Sequence, residues 1–125
     1  MTKHEIISSA GERIIRCIRD YTISQFEDLM AGRIKAPDDQ DLQYRIGQLS
    51  PESRKILHDI GIRLVDETLH NFLWMLEGGE RLELICRAPD GEVANLTELS
   101  DGLPGELYGP EGWIAKFSRY SPSVQ

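Results

Sequence analysis

The apolar residues in the first part of the chain recur at the three- and four-residue steps of an amphipathic helix. Ile7, Ile14 and Ile18 fall on one stripe at this spacing, which predicts a helix over residues 4–21. The stiff side chains of residues 21–23 crowd a preceding helical turn, so we expect the helix to break or kink there.

A second helix is predicted directly after this break. Ser24 and Glu27 form a capping-box pattern, in which each side chain satisfies a backbone donor at the start of a helix. The pattern predicts a helix over residues 25–33, which Gly32 is placed to end because glycine readily adopts the left-handed conformation found there.

The middle of the chain predicts one long helix. Ser50 is a good cap, Pro51 suits the first helical position, and apolar residues then recur at helical spacing as far as Gly78 and Gly79. The pattern covers about 27 residues, or about 40 Å at 1.5 Å per residue.

After this helix the apolar period changes to two. Leu82, Leu84 and Cys86 alternate with the residues between them, which predicts a strand. The turn sequence of residues 89–92 is followed by a second short strand over residues 93–96, so the two strands are expected to form a β-hairpin.

The last part of the chain predicts a loop and a short helix. Residues 97–112 are rich in glycine and proline, and Trp113, Ile114 and Phe117 then return to helical spacing. The expected fold class is α+β, with N-terminal antiparallel helices including one long helix, then a β-hairpin or small antiparallel sheet, then a short C-terminal helix. The length favours a single domain over residues 1–125.

The composition is that of an ordinary globular protein, with 40% apolar and 28% charged residues. No apolar run approaches the roughly 20 residues that a membrane span needs, and the apolar stretch at residues 6–10 is too short for a signal peptide. We therefore expect a cytoplasmic protein with no membrane partner. Cys17 and Cys86 are expected to be buried free thiols.

The charge is divided unevenly along the chain. Residues 1–64 contain 10 acidic and 10 basic side chains, whereas residues 65–125 contain 11 acidic and 4 basic, so the later half carries the whole net charge of −7. A field of one sign repels nucleic acid and attracts basic partners, so we expect a basic protein partner and no nucleic acid. Arg13, Arg16 and Arg19 form a small basic ridge, which we expect to make salt bridges to the acidic half.

The sequence offers chemical groups but no complete chemical site. Glu67 and His70 have the Glu-x-x-His spacing of di-iron carboxylate bundles, which require a second copy that the chain lacks. The expected arrangement is a solvated helix face with a weak contact between Asp66 and His70. The glycines of residues 101–113 match neither phosphate-loop motif. We therefore expect no catalytic residue, no cofactor and no metal ion.

Residues 66–120 carry a resemblance in three stretches: Thr-Leu-His-Asn-Phe-Leu-Trp-Met-Leu-Glu, Ser-Asp-Gly-Leu-Pro-Gly-Glu-Leu-Tyr and Gly-Trp-Ile-Ala-Lys-Phe-Ser. With the hairpin between them, they resemble a group of small uncharacterised bacterial proteins. In size, charge and simplicity the whole chain is similar to the immunity proteins of bacterial toxin systems, small cytoplasmic proteins that bind and block a cognate toxin domain. This resemblance implies toxin inhibition and carries over no catalytic residue.

The leading interpretation is a small acidic binding protein, an immunity protein that neutralises a basic toxin domain. Complementary charge would speed the encounter, and Tyr108 and Trp113 would anchor the partner, although Trp113 suits core packing equally well. The residues expected to steer the partner are Glu77, Glu80, Glu83, Glu92, Glu98, Asp101, Glu106 and Glu111.

Two alternatives stand beside this interpretation. One is a small enzyme with a site around His70 and the glycine-rich loop, which requires His70 to share a pocket with a carboxylate from another segment. The other is a self-associating regulatory or structural protein, a homodimer in which the long helices pair an apolar stripe across a two-fold axis.

Overall fold

The fold is α+β, as the sequence predicts. A computed structural model of the chain describes residues 1–78 and 81–121. Helices supply most of the core, and a two-stranded antiparallel sheet packs against it. Within the described residues, no helix has the length and apolar character needed to cross a membrane.

The first part of the chain is one continuous helical segment. It consists of α1 (Lys3–Ile14), a π-helical segment (Ile15–Asp20) and α2 (Tyr21–Met30). No break occurs at residues 21–23, because α2 runs through them, and the wider π-helical turns lie directly before them. Ser24 consequently lies inside α2 and does not cap a helix.

The end of α2 is confirmed at the predicted glycine. Gly32 has a φ of 75°, and the N–H of Arg33 bonds to the carbonyl of Asp28 at 2.9 Å, which is the helix-ending arrangement that glycine favours. A single 3₁₀ turn (Pro37–Asp39) then leads into α3 (Gln40–Gly47).

The long helix α4 (Pro51–Glu77) is confirmed with its predicted start. The hydroxyl of Ser50 accepts the N–H of Ser53 at 3.1 Å, and the helix continues for 27 residues. Gly78 caps its end, and Gly79 lies outside the described residues.

Helix α4 packs antiparallel to the first helical segment. Phe26 of α2 lies against Gly61, where an added Cβ would overlap the phenyl ring. Arg19, which precedes Phe26 in the sequence, bonds to Asp66 further along α4. Later residues of α4 therefore contact earlier residues of the first segment, as in an antiparallel pair of helices.

The hairpin consists of β1 (Ile85–Arg87) and β2 (Val93–Asn95), as predicted. The strands are antiparallel, with Cys86 opposite Ala94, and these two side chains pack against the core. Gly91 in the connecting turn has a φ of 90°, a conformation that favours glycine.

The C-terminal part forms α5 (Leu96–Leu99), a 3₁₀ turn (Pro104–Leu107) and α6 (Trp113–Phe117). The indole of Trp113 lies against Gly11 of α1, where a Cβ would overlap the ring. This contact docks the final helix on the first. The most deeply buried apolar residues are Ile15, Ile23, Leu73, Leu96, Leu103, Leu107 and Trp113.

A buried arginine ties three parts of the fold together. Arg19 is fully buried, and its Nε lies 2.6 Å from Oδ1 of Asp66. The same guanidinium donates to the Ser118 hydroxyl and to the carbonyls of Tyr120 and Ser121. The π-helical segment, α4 and the C-terminal segment thus share one cation, and the expected salt bridge from Arg19 to the acidic half is confirmed.

Two expectations about the first segment are wrong. Arg13, Arg16 and Arg19 form no continuous basic ridge, because Arg19 points into the core and Arg16 pairs with Glu12 at 2.8 Å. Cys17 is exposed and Cys86 is half-buried, although both are free thiols as expected. The buried residues of the π-helical segment are Ile15, Arg19 and Asp20, so Cys17 lies on its exposed side.

Candidate protein-interaction surfaces

The end of α4 meets the turn that follows α5. Oε1 of Glu77 lies 3.5 Å from the position that a Cβ on Gly102 would occupy. On the same turn, the hydroxyl of Ser100 donates to Glu106 at 3.0 Å and accepts the N–H of Gly102 at 3.1 Å. Two carboxylates from distant parts of the sequence therefore flank one turn.

The hairpin brings a further carboxylate to α5. The N–H of Leu96 bonds to the carbonyl of Leu84 at 2.7 Å, which continues the antiparallel pairing into the start of α5. The N–H of Leu84 also approaches the hydroxyl of Thr97 at 3.4 Å, so Glu83 and Glu98 each adjoin one member of this contact in the sequence. We call the following group the α5 acidic surface: Glu77, Glu83, Glu98, Asp101 and Glu106.

The other predicted steering residues do not join this surface. Glu92 lies at the turn of the hairpin, at the end away from α5, and Glu111 lies in the turn before α6. Glu80 is outside the described residues. Beside Glu92, the carboxylate of Asp90 accepts the Glu92 N–H and faces the terminal amine of Met1, and these contacts hold the pKa of Asp90 below its usual value of 3.8.

The α5 acidic surface keeps most of its charge. Within the described residues its one ion pair joins Asp101 to Lys3 at 4.0 Å, with both side chains exposed, so water and salt weaken it. Asp66 and Glu67, by contrast, pair with arginines of the earlier half. Arginines of the earlier half thus neutralise the carboxylates in the middle of α4, whereas the carboxylates around α5 keep their negative charge.

An exposed apolar pair adjoins these carboxylates. Ile85 and Val93 are 51% and 61% exposed, and they are diagonal neighbours on the outer face of the hairpin. Glu83 lies two residues before Ile85, just outside β1, and is exposed. Arg87 lies on the same face, directly opposite Val93, so the outer face of the hairpin combines apolar contact area with charges of both signs.

The aromatic residues predicted as anchors are engaged inside the protein. Trp113 is 2% exposed, so its role is core packing and the prediction of a surface anchor is wrong. Tyr108 is half-buried, and its hydroxyl lies 3.1 Å from Nδ1 of His70. The exposed pair Ile85 and Val93 was not singled out from the sequence, although strand alternation places both on the outer face.

His70 meets the glycine-rich loop through the phenol of Tyr108. The helix face at Asp66 is not solvated as expected, because Asp66 is 3% exposed and bonds to a buried arginine. Burial, together with the charges of Asp66 and Glu67, raises the pKa of Tyr108 above 10.0. In the part of the chain that the structure describes, no three His, Cys, Asp or Glu side chains are grouped to hold a metal ion.

A second surface lies on α4 and is the kind of apolar stripe that the homodimer alternative requires, although its residues were not named from the sequence. Ile56, Ile60 and Leu64 follow one another at four-residue steps and are 60%, 49% and 59% exposed, whereas Leu69 and Leu73 on the opposite side are buried. The signal was present, because α4 has more apolar residues than one face can hold. We call the exposed group the α4 stripe: Ile56, Ile60, Leu64, Phe72, Trp74 and Met75.

A groove of about 410 Å³ runs between the α4 stripe and the first helical segment. Its walls come from α4 on one side and from the π-helical segment and α2 on the other. The lining side chains are Ile18, Thr22, Leu64, Val65, Thr68, Leu69 and Phe72.

Comparisons of this chain with protein-family models, with curated proteins and with solved structures found no match.

Proposed function

We propose that this chain is a protein-binding module that holds a basic protein on its α5 acidic surface. The observation that carries the proposal is that Glu77 and Glu106 flank the turn at Gly102, beside Asp101, while the α5 acidic surface has a single weak ion pair among the described residues. The sequence supports it, since residues 77–111 contain nine acidic and two basic side chains. Such a surface attracts cationic partners and repels polyanions.

The carboxylates of the α5 acidic surface and the apolar pair beside them have different roles. The carboxylates raise the rate of encounter, from roughly 10⁵–10⁶ M⁻¹s⁻¹ for an unsteered pair towards 10⁸ M⁻¹s⁻¹ or more at low salt. Ile85 and Val93 supply apolar area that a partner covers, and such covered anchors carry most of the affinity in protein complexes. The carboxylates therefore set the rate of association with the partner, and Ile85 and Val93 set the rate of dissociation.

In its narrower form, the proposal is that the chain is a cytoplasmic immunity protein and its partner a basic toxin domain. A toxin that cleaves nucleic acid must carry cationic groups that hold phosphates, and an acidic protein competes for those groups directly. The role requires no catalytic residue, cofactor or metal ion of this chain. The sign and position of the charge support the proposal.

The proposal is tested by recovering the partner and measuring its toxicity. The tagged chain is used to capture proteins from the cell that makes it, and each captured protein is identified by mass spectrometry. We expect a basic protein that stops growth when expressed alone and permits growth when co-expressed with this chain. A non-basic partner would contradict the broader proposal, and a basic but harmless one would contradict only the immunity role.

A further inference from the structure

The α4 stripe exceeds the apolar patches that monomeric proteins usually leave in water. Together with Ile18 across the groove, its side chains expose on the order of 700 Å², against roughly 300–600 Å² for the largest patch of a typical monomer. Each partner in an interface of standard size buries roughly 800 Å². The stripe is therefore large enough to support a stable association.

We propose that the α4 stripe pairs with the same stripe of a second copy of this chain, with the two helices antiparallel across a two-fold axis. The axis passes α4 near Val65, midway between Arg63 and Glu67. These two residues form an ion pair along the helix at 2.6 Å, and both are about half exposed beside the stripe. In the antiparallel pair, Arg63 stands level with Glu67 of the second copy, so charges of opposite sign alternate next to the apolar contact.

The same axis aligns the apolar side chains. At each end of the contact, Ile56 of one copy lies at the same height along the helix axis as Trp74 of the other copy. Ile60 of the second copy comes level with the groove wall formed by Thr68 and Phe72. Rows of side chains at four-residue steps pack into the groove of a neighbouring helix in this way. The stripe is thus complementary to its own reversed copy.

The overall charge also selects the antiparallel orientation. The two Glu77 side chains lie about 36 Å apart along the helix axis in this arrangement, far beyond the screening length of about 8 Å at physiological salt. Each acidic end of α4 lies beside the end that carries Glu52, Arg54 and Lys55, a net positive charge, in the other copy. A parallel pair would instead set both acidic surfaces side by side. The dimer leaves the two α5 acidic surfaces free at opposite ends.

The first test measures mass against concentration by analytical ultracentrifugation. We expect the native chain to reach twice its monomer mass of 14.2 kDa. Leu64→Glu should raise the dimer dissociation constant by at least about 100-fold, because each copy would bury an unpaired charge. Tyr44→Glu is the matched control: Tyr44 is 68% exposed on α3, and its substitution should leave dimerisation unchanged. A native chain that stays monomeric at about 1 mM, a concentration at which even weak complexes form, would overturn the proposal and assign the stripe to another protein.

The second test checks the antiparallel register. Arg63→Glu and Glu67→Arg should each weaken the dimer by about tenfold, since each creates two like-charged contacts, and the double exchange should restore it. Amide NMR shifts of the native chain should change with concentration on the exposed face of α4 and around Ile18 and Tyr21. Shifts confined to the hairpin, or a double exchange no better than the single variants, would contradict the proposed arrangement.

Discussion

The guanidinium of Arg19 and the carboxylate of Asp66 form a buried ion pair, with Nε 2.6 Å from Oδ1 and exposed fractions of 0% and 4%. The two residues are 47 positions apart in the sequence, so the pair fixes the π-helical segment against α4. The protein interior solvates an ion poorly, so removing one member of the pair leaves an unpaired charge in the interior and destabilises the folded state.

Replacing Arg19 should therefore destabilise the protein strongly. Arg19→Met removes the cation from Asp66 and from the carbonyls of the C-terminal segment, and we expect the free energy of unfolding to fall by about 3–5 kcal/mol in urea denaturation. Arg16→Met is the control, because Arg16 pairs with Glu12 on the surface, and it should change the value by less than about 0.5 kcal/mol. Equal effects of the two substitutions would contradict the structural role of Arg19.

The contact between Gly11 and Trp113 gives a second prediction. Gly11→Ala places a methyl group where the indole lies, so we expect a loss of about 1–3 kcal/mol in unfolding free energy despite the better helix propensity of alanine. Gly47→Ala is the matched control, since no atom lies within 4 Å of its added Cβ, and it should stabilise the protein by up to about 1 kcal/mol. Thermal unfolding of both variants measures the difference. A stabilising Gly11→Ala would mean that Trp113 packs elsewhere.

Those parts of the fold whose causes are local were predictable from the sequence. Ser50 and Pro51 fix the start of α4 through contacts within one turn, and Gly32 fixes the end of α2 in the same way. The hairpin follows from strand alternation on either side of residues 89–92, a turn sequence, and needs no distant partner. In each case neighbouring residues determine the backbone conformation.

Features that depend on distant contacts were missed. Arg19 is buried because Asp66 and the C-terminal carbonyls meet it, and no spacing within residues 13–19 indicates this. The apolar residues of α4 have helical spacing on two faces, and only the packing of the first segment decides which face is covered. Glu92 and Glu111 lie away from α5, and five of the eight acidic residues predicted to steer a partner make up the α5 acidic surface. Their gathering depends on Glu77 reaching the turn at Gly102, which lies far along the chain.

The environment of Tyr108 predicts a pH dependence. Burial above all, with the nearby negative charges, raises the pKa of Tyr108 above 10.0, so the folded protein holds this proton more tightly than the unfolded chain. The resulting stabilisation is present below pH 10.0 and is lost as the pH rises through the raised pKa. In an ultraviolet titration of the four tyrosines, one should ionise late, and Tyr108→Phe should remove that late step. A late step that persists in the variant would assign it to another tyrosine.

The apolar pair on the hairpin should control how long the partner stays bound. Ile85→Ala and Val93→Ala should each speed dissociation of the captured partner by about 10-fold or more, because a covered anchor carries much of the affinity. Both side chains are more than half exposed, so the free energy of unfolding should change by less than about 0.5 kcal/mol. Leu42→Ala on α3 is the control for apolar truncation. Dissociation rates from surface plasmon resonance that are equal for all three variants would exclude the hairpin face from the interface.

The central claim is that the α5 acidic surface attracts a basic partner. Its most direct test is the association rate of the captured partner with Glu98→Lys/Asp101→Lys/Glu106→Lys, compared with the native chain and with Asp38→Lys/Asp41→Lys/Glu52→Lys, which makes the same change of net charge in the earlier half. Stopped-flow measurements over a range of salt concentrations should show a native rate that falls steeply with salt. The acidic-surface variant should associate at least about 100-fold more slowly at low salt, and the control variant should stay much closer to the native rate. Equal slowing by both triple variants, or a native rate indifferent to salt, would contradict the claim.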